Sequence, residues 1–324
     1  MSVLELPTSR PTPRRRALDV VARQPLAVAG VAVIAGFVIV AILARQFAPD
    51  GASSQVGHPF AAPSPAHLLG LDDVGADVVS QLILGARVSL LIGVLAAAVA
   101  VSIGVSIGAI SGYFGGIVDT LLVAATDYFL VIPILPLAIV VAALWGANLT
   151  NEVLIISLLS WMSTARLIRA QVVSLRERAF VARTRSLGAS NLRILGRHIL
   201  PAVTPLVAAS VVISVGNAIF FEAALAFLGL TDPSRPSWGK MIADGFNRGA
   251  IQAGAWWAIV TPGLAIGLVV LSASLVGRAV EDTANPRLAI SHVGVRVFRI
   301  ERAQDELTSS EAPVVHRRRR RRGS

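Results

Sequence analysis

Six stretches of this chain are each long and apolar enough to cross the roughly 30 Å hydrocarbon core of a bilayer as a helix. They run over residues 25–44, 88–110, 121–143, 149–168, 201–221 and 254–276. Inside lipid there is no water to bond the backbone, so a span of this kind closes its hydrogen bonds within a helix. Composition agrees: 54% of the residues are hydrophobic and 15% charged, and the apolar residues are bunched rather than spread. The expected fold class is therefore all-α, a polytopic membrane protein with six transmembrane helices. The fourth stretch is the weakest, because Glu152, Arg166 and Arg169 crowd its ends.

Six crossings put both termini on one side, and the basic residues choose which. With the N-terminus in the cytoplasm, 24 of the 29 Lys and Arg residues fall on the cytoplasmic side, as the positive-inside tendency requires. Only Arg45, Arg87, Arg235, Lys240 and Arg248 fall outside. The first stretch follows "PRRRALDVVARQ", yet it is longer than a secretory signal core and no cleavage site follows, so it reads as an uncleaved span. The absence of cysteine excludes thiolate metal ligation and thiol catalysis.

The expected organisation is a cytoplasmic tail over 1–24, a first span over 25–44, an extracytoplasmic segment over 45–86, a core over 87–281 with a cytoplasmic loop at 172–200, and an Arg-rich cytoplasmic tail over 282–324. Both tails are polar, without a sustained apolar period, and are expected to be mobile. The terminal "HRRRRRRGS" suits the anionic headgroups of a lipid membrane; without a folded reader it does not indicate a nucleic-acid partner. Residues 45–86 and 230–253 are the two places where an external partner can touch the chain.

Within the second span Gly104, Gly108 and Gly112 recur at every fourth residue, with Ala100 one step earlier. This spacing lines one helix face with small residues and lets another backbone approach, either in this chain or in a second subunit. Pro133 and Pro136 should bend the third span. Two acids, Asp127 and Glu222, are candidates for intramembrane polar contacts, pairing with a neighbouring helix as the bland expectation and serving function as the sharper one.

The loop between spans four and five reads as helix, turn, helix. Ser174–Glu177, "SLRE", has the form of a capping box, and positions 175, 179, 182 and 186 would give the helix it starts an apolar or small face. Gly188 fits the left-handed position that ends a helix, Ser190 can cap the next one, and Pro201 suits the start of span five.

Within "LGASNLRILGRHILP" the loop resembles the cytoplasmic loop of binding-protein-dependent ABC importer permeases, whose pattern is Glu-Ala-Ala, three residues, Gly, about nine residues, then Ile-x-Leu-Pro. The matching positions are Gly188, Ile199 or Ile194, Leu200 and Pro201. Where that family has Glu-Ala-Ala this chain has Ala182-Arg183-Thr184, so the acid is missing; the contact can be retuned, taken over by Glu177, or weakened. Further runs, "HLLGLDDVGADVVSQLILGARVSLLIG" (67–93), "GYFGGIVDTLL" (112–122), "ARLIRAQVVSLRERAFV" (165–181), "FLGL" (227–230), "PSWGKMI" (236–242) and "WWAIVTPGLAIGLVVLSASLVGRAVEDTANPR" (256–287), are collinear with the second permease of the dipeptide, oligopeptide and nickel importer group. In the first of these, Leu71 and Ala76 stand where the family shows Thr and Arg.

The resemblance implies a type I ABC importer permease fold and a non-catalytic subunit that forms half of a peptide translocation pathway. It implies a heterodimer with a homologous permease, two ATPase subunits docked on the loop at Ala182, Arg183, Leu187, Gly188, Ala189 and Ser190, and an extracytoplasmic substrate-binding protein. No cofactor is expected on this chain: ATP and Mg would be used by the ATPases, since the one lysine, Lys240, is followed by Met241 rather than the Ser or Thr of a phosphate loop. The histidines at 58, 67, 198, 292 and 316 are scattered and make no metal cluster. Alternatives are nickel or another small solute as cargo, disfavoured because no span carries a histidine, a gradient-driven carrier, disfavoured by the lack of an inverted repeat, and a membrane-anchored interaction protein.

Overall fold

The computed structural model describes residues 24–48 and 54–284. Residues 1–23, 49–53 and 285–324, which hold nearly all of the expected tails and the hexa-arginine run, lie outside the described residues. Among the described residues the chain is helical, with two isolated bridges, Gln55 to Ala76 and Leu71 to Asp77, in place of any strand.

Helix α1 spans Pro25–Ile42, with Pro25 at its first turn, and is followed by the short α2, Ala44–Phe47. Helix α3, Val78–Phe114, begins ten residues before the expected second span. Asp77 starts it by accepting from the Ser80 backbone N–H at 2.8 Å and the Ser80 hydroxyl at 3.0 Å, satisfying a donor that has no partner in the first turn. At 1.5 Å per residue its 37 residues reach about 55 Å, well beyond a bilayer core, so α3 links both aqueous faces.

The third apolar stretch is broken. Helices α4, Gly116–Val131, and α5, Ile134–Trp145, meet at 88°. Pro133 enforces the break, because its ring drives Ile132 into an extended conformation, φ −72° and ψ 128°. The fourth span is also divided, α6, Leu149–Leu158, meeting α7, Met162–Arg176, at 44°, a break the single stretch at 149–168 did not anticipate. After the loop helix α8, Ala179–Ser186, and the single turn α9, Asn191–Ile194, the backbone widens into a π turn at Leu195–Ile199 and runs on as α10, Leu200–Phe227. Pro201 stands in the first turn of α10, as its place at the start of span five implies. It follows a widened turn in which the Leu200 N–H bonds to the carbonyl five residues back, Leu195, which gives the proline ring room and absorbs its missing donor. Helices α11, Trp238–Asn247, and α12, Trp257–Ala284, complete the order.

Four of these helices are long and apolar enough to cross a membrane among the described residues, and the two bent pairs bring the number to six if each is one crossing. Large apolar side chains stand exposed along them, Ile42, Ile117, Leu144 and Leu264 included, as befits a surface facing lipid or another subunit.

The glycine row of α3 packs inside this chain. A Cβ at Gly104 would lie 2.7 Å from the Trp161 carbonyl oxygen, one at Gly108 2.5 Å from that of Ala165, and one at Gly112 2.9 Å from that of Arg169. Of the two contacts open from the sequence, the row makes the intramolecular one, with α7 laid against it. Towards one end of the bundle Trp238, Trp257, Leu90 and Ile266 form a core that carries the segments over 54–77 and 230–248. Towards the other, Tyr113, Ile168, Val172, Leu175, Val181, Ile194 and Ile199 form the core on which the loop is seated.

Candidate functional site: the loop between the fourth and fifth spans

The first helix of this loop does not begin at the SLRE motif. Ser174 lies inside α7, which runs to Arg176, and the chain bends at Glu177 and Arg178 before α8 starts at Ala179. A capping box needs an extended residue at its first position, and the burial of Ile168, Val172 and Leu175 on one face instead carries α7 straight through Ser174. The expected face at 175, 179, 182 and 186 is likewise displaced: Leu175 and Val181 are buried, while Ala179, Ala182 and Ser186 are exposed.

The end of α8 is as the glycine implies. Gly188 has φ +83°; its N–H donates to the Arg185 carbonyl at 3.0 Å, and the Ala189 N–H donates to the Thr184 carbonyl at 3.3 Å. This pair of bonds satisfies carbonyls that the last turn leaves open, and its left-handed residue suits glycine. Ser190 occupies the position before α9 with an extended backbone, but its side chain makes no capping bond there. Leu187 is 88% exposed, Ala182, Arg183, Gly188 and Ser190 are exposed, and Ala189 is half-buried. The tip thus offers an apolar knob, beside an arginine, on a turn whose shape is fixed.

What holds the tip to the spans is a set of residues with no local signal in the sequence. Tyr113, at the end of α3, donates its hydroxyl to the Asn191 Oδ1 at 3.0 Å. Arg185 Nη2 donates to the same hydroxyl at 3.4 Å, and Arg176 Nη1 to the Tyr113 carbonyl at 3.3 Å. These bonds tie the turns on both sides of the tip to the end of α3.

Nearby, Arg169 grips Asp119 through two bonds, Nε to Oδ1 at 2.6 Å and Nη2 to Oδ2 at 2.7 Å, joining α7 to α4. Asp127 accepts from Arg166 Nη2 at 2.6 Å in a pair whose side chains are 50% and 60% exposed. Glu222 is fully buried in α10; Ser89 of α3 donates to its Oε2 at 3.1 Å, and its Oε1 has no partner. Both acids thus contact neighbouring helices, Asp127 through a cation and Glu222 through a hydroxyl.

At the other end, the segment over 54–77 and the segment over 230–248 enclose a polar cavity of about 310 Å³ lined by Asp72, Asp73, Lys240, Asp244 and Arg248 among others. Burial pushes the Asp73 carboxyl above its usual range, with Asp72 adding to the effect and Arg248, 2.6 Å away, opposing it. Asp232 is held below its usual range by the hydroxyl and backbone N–H of Ser234, then by Arg235. Leu71 and Ala76, where the run at 67–93 departs from the family pattern, are buried, so they pack the segment rather than face outward. Among the described residues no group of three or more His, Asp or Glu could hold a metal ion.

An apolar bundle of long and bent helices, with a helical loop on its surface, is that of a multi-pass membrane protein. Residues 104–290 match the family described as binding-protein-dependent transport system inner membrane component, and the chain belongs to that family. It is 34% identical to a dipeptide transport system permease protein of Alkalihalophilus pseudofirmus over 279 residues, 86% of this chain and 91% of the relative. It is 34% identical to a dipeptide transport system permease protein of Haemophilus influenzae over 77% of this chain and 86% of that one. Identity to a glutathione transport system permease protein of Escherichia coli is 33%, over 82% and 88%. The chain is thus an inner-membrane, multi-pass permease of an ABC importer, a class of machine that works with ATPase and substrate-binding components.

Proposed function

We propose that this chain is one of two homologous permease subunits of a peptide importer and that the loop tip, Ala182 to Ser190, is where an ATPase docks. The observation that carries the reading is the pairing of an exposed Leu187 and a left-handed Gly188 with the anchorage of the flanking turns on Tyr113. Two ATPase subunits would hydrolyse ATP with Mg, this chain itself being non-catalytic, and an external binding protein would deliver the peptide to the face formed by 45–86 and 230–253. Both termini would be cytoplasmic. ATP must favour one state of the bundle through contacts that differ between states, since a loop bound equally in both shifts nothing. The dipeptide and glutathione names of the relatives support a short peptide as cargo.

The test is to tag the chain in its native membrane, solubilise gently and identify by mass spectrometry what co-purifies, for the natural chain and for Gly188→Trp. A Cβ at Gly188 meets open space but strains a backbone held at φ +83°, so the variant both places an indole in the docking space and reshapes the turn, at a surface site remote from the packing of the bundle. A second permease and ATPases should accompany the natural chain, and the ATPases should be lost from the variant. ATPases retained at full yield on Gly188→Trp would refute docking at this turn.

A further inference from the structure

Between the break at Leu159–Trp161 and the middle of α10 lies a groove of about 390 Å³. Its polar lining is Ser160, Ser163, Thr164, Ser210, Ser214 and Asn217, and no lining residue is charged. Hydroxyls elsewhere in these helices turn back on their own backbone: those of Ser102, Ser106, Thr126, Thr204 and Ser274 each donate to the carbonyl four residues earlier. In the groove this happens at Ser210, but the buried Ser160 hydroxyl has no partner. Among the described residues the side chains of Ser163, Ser214 and Asn217 make no hydrogen bond either.

Asn217 is the most telling of these. It sits near the middle of α10 and is exposed, and Ser210, Ser214 and Asn217 are spaced to share one helix face. An amide presented to lipid tails loses its hydrogen bonds to water and gains none, so polar side chains at membrane depth turn to a bundle interior or a wet cavity. Both elements that bound the groove are irregular or proline-bearing, α6–α7 by its 44° break and α10 by Pro205, and irregular backbone at membrane depth is tolerated where it lines a cavity.

We propose that this groove is a hydrated solute-contact site, with Asn217, Ser214 and Ser163 lending donors and acceptors to the amide groups of a passing solute. Hydroxyl and carboxamide groups both donate and accept, which matches the N–H and C=O of an amide in either direction. The lining holds no counter-charge for a carboxylate or an ammonium, so contacts stay weak, and weak serial contacts are what a path needs if its solute is to leave. This rests on the permease reading and extends it to the chemistry of the wall.

The lack of native cysteine makes the test direct. Single Asn217→Cys, Ser214→Cys and Ser163→Cys variants, with Val31→Cys on the exposed face of α1 as reference, are treated in native membranes with a charged methanethiosulfonate reagent. The thiolate is the reacting species, and a thiol in lipid stays protonated, so the groove cysteines should react about tenfold faster than Val31→Cys or more. Labelling of Asn217→Cys should also block uptake of radiolabelled glycylglycine, whereas labelling of Val31→Cys should not. Groove cysteines as slow as Val31→Cys would overturn the proposal and make the face a dry contact with the second permease. Fast labelling with uptake intact would overturn the solute contact. Absence of glycylglycine uptake by the natural chain would count against the short-peptide cargo instead, and the labelling contrast would still decide whether the groove is wet. If one variant fails to reach the membrane, the other two positions give the same reading.

Discussion

The Tyr113 hydroxyl lies 3.0 Å from the Asn191 Oδ1, joining the end of α3 to the first turn after the loop tip across 78 residues of sequence. The backbone of the same tyrosine accepts from Arg176 before the tip, so one residue holds both sides of the loop to the bundle. Tyr113→Phe keeps the ring in its core and removes the hydroxyl bond, at a cost of about 1 kcal/mol. If the bond transmits motion, uptake should fall several-fold while the ATPases still co-purify. Uptake unchanged in Tyr113→Phe would leave the packing of Val181 and Ile194 as the transmitting contact.

The glycine row gives a sharper stability prediction. A Cβ at Gly108 already meets the Ala165 carbonyl at 2.5 Å and the Arg169 backbone nitrogen at 3.0 Å, and backbone cannot step aside as a side chain can. Gly108→Val should separate α3 from α7 and cost at least about 1–3 kcal/mol, the range for overpacking. Thermal unfolding in detergent should show a lower midpoint than for Gly36→Val, since Gly36 has open space around it.

The two acidic contacts of α4 should behave differently. Asp119 is gripped by two bonds from Arg169 and its side chain is 21% exposed, whereas Asp127 and Arg166 are both at least half exposed. Bidentate, partly buried pairs outweigh exposed single contacts, which are worth up to about 1 kcal/mol. Asp119→Asn should therefore lower the unfolding midpoint more than Asp127→Asn does. Equal effects would mean that the second bond adds nothing.

The segments that enclose the polar cavity should respond to pH with two opposite signs. Asp232 has a carboxyl depressed below its usual 3.8, so its contribution is present above that value and is lost as pH falls through the lower, folded-state value. Asp73 is raised above 3.8, so the folded state holds its proton more tightly than the unfolded chain, and stability declines as pH rises from 3.8 through the raised value. Limited proteolysis of the 230–248 segment across this range should show Asp232→Asn losing the protection gained above the depressed value. Asp73→Asn should lose the decline that begins near 3.8; a decline that persists in Asp73→Asn would assign it to another group.

The membrane class, the six apolar stretches and the turn at Gly188 are all readable from the sequence, because each depends on a local cause: hydrocarbon length, or a backbone angle that only glycine adopts easily. The bend at Pro133 belongs with them, since a proline restricts its own neighbour. The SLRE motif misled because local capping competes with burial, and the apolar face of Ile168, Val172 and Leu175 wins across Ser174. Asn217 and Ser214 stand plainly in the sequence as polar residues inside an apolar span. Their significance appears only when the break at Leu159–Trp161 brings Ser160 and Ser163 to the same groove.

That this chain lives in a bilayer, that Pro133 breaks one helix and Gly188 ends another, and that a basic helical loop lies between spans four and five are all written locally. Those follow from transfer of side chains into lipid and from backbone angles, which act within a few residues. The tertiary structure alone decided that the glycine row of α3 meets α7, that Tyr113 holds the loop, that Asp119 belongs to Arg169, and that Glu222 bonds to Ser89. Such contacts join residues 50 to 133 positions apart, and their partners are selected by the simultaneous packing of every helix, which no local pattern encodes.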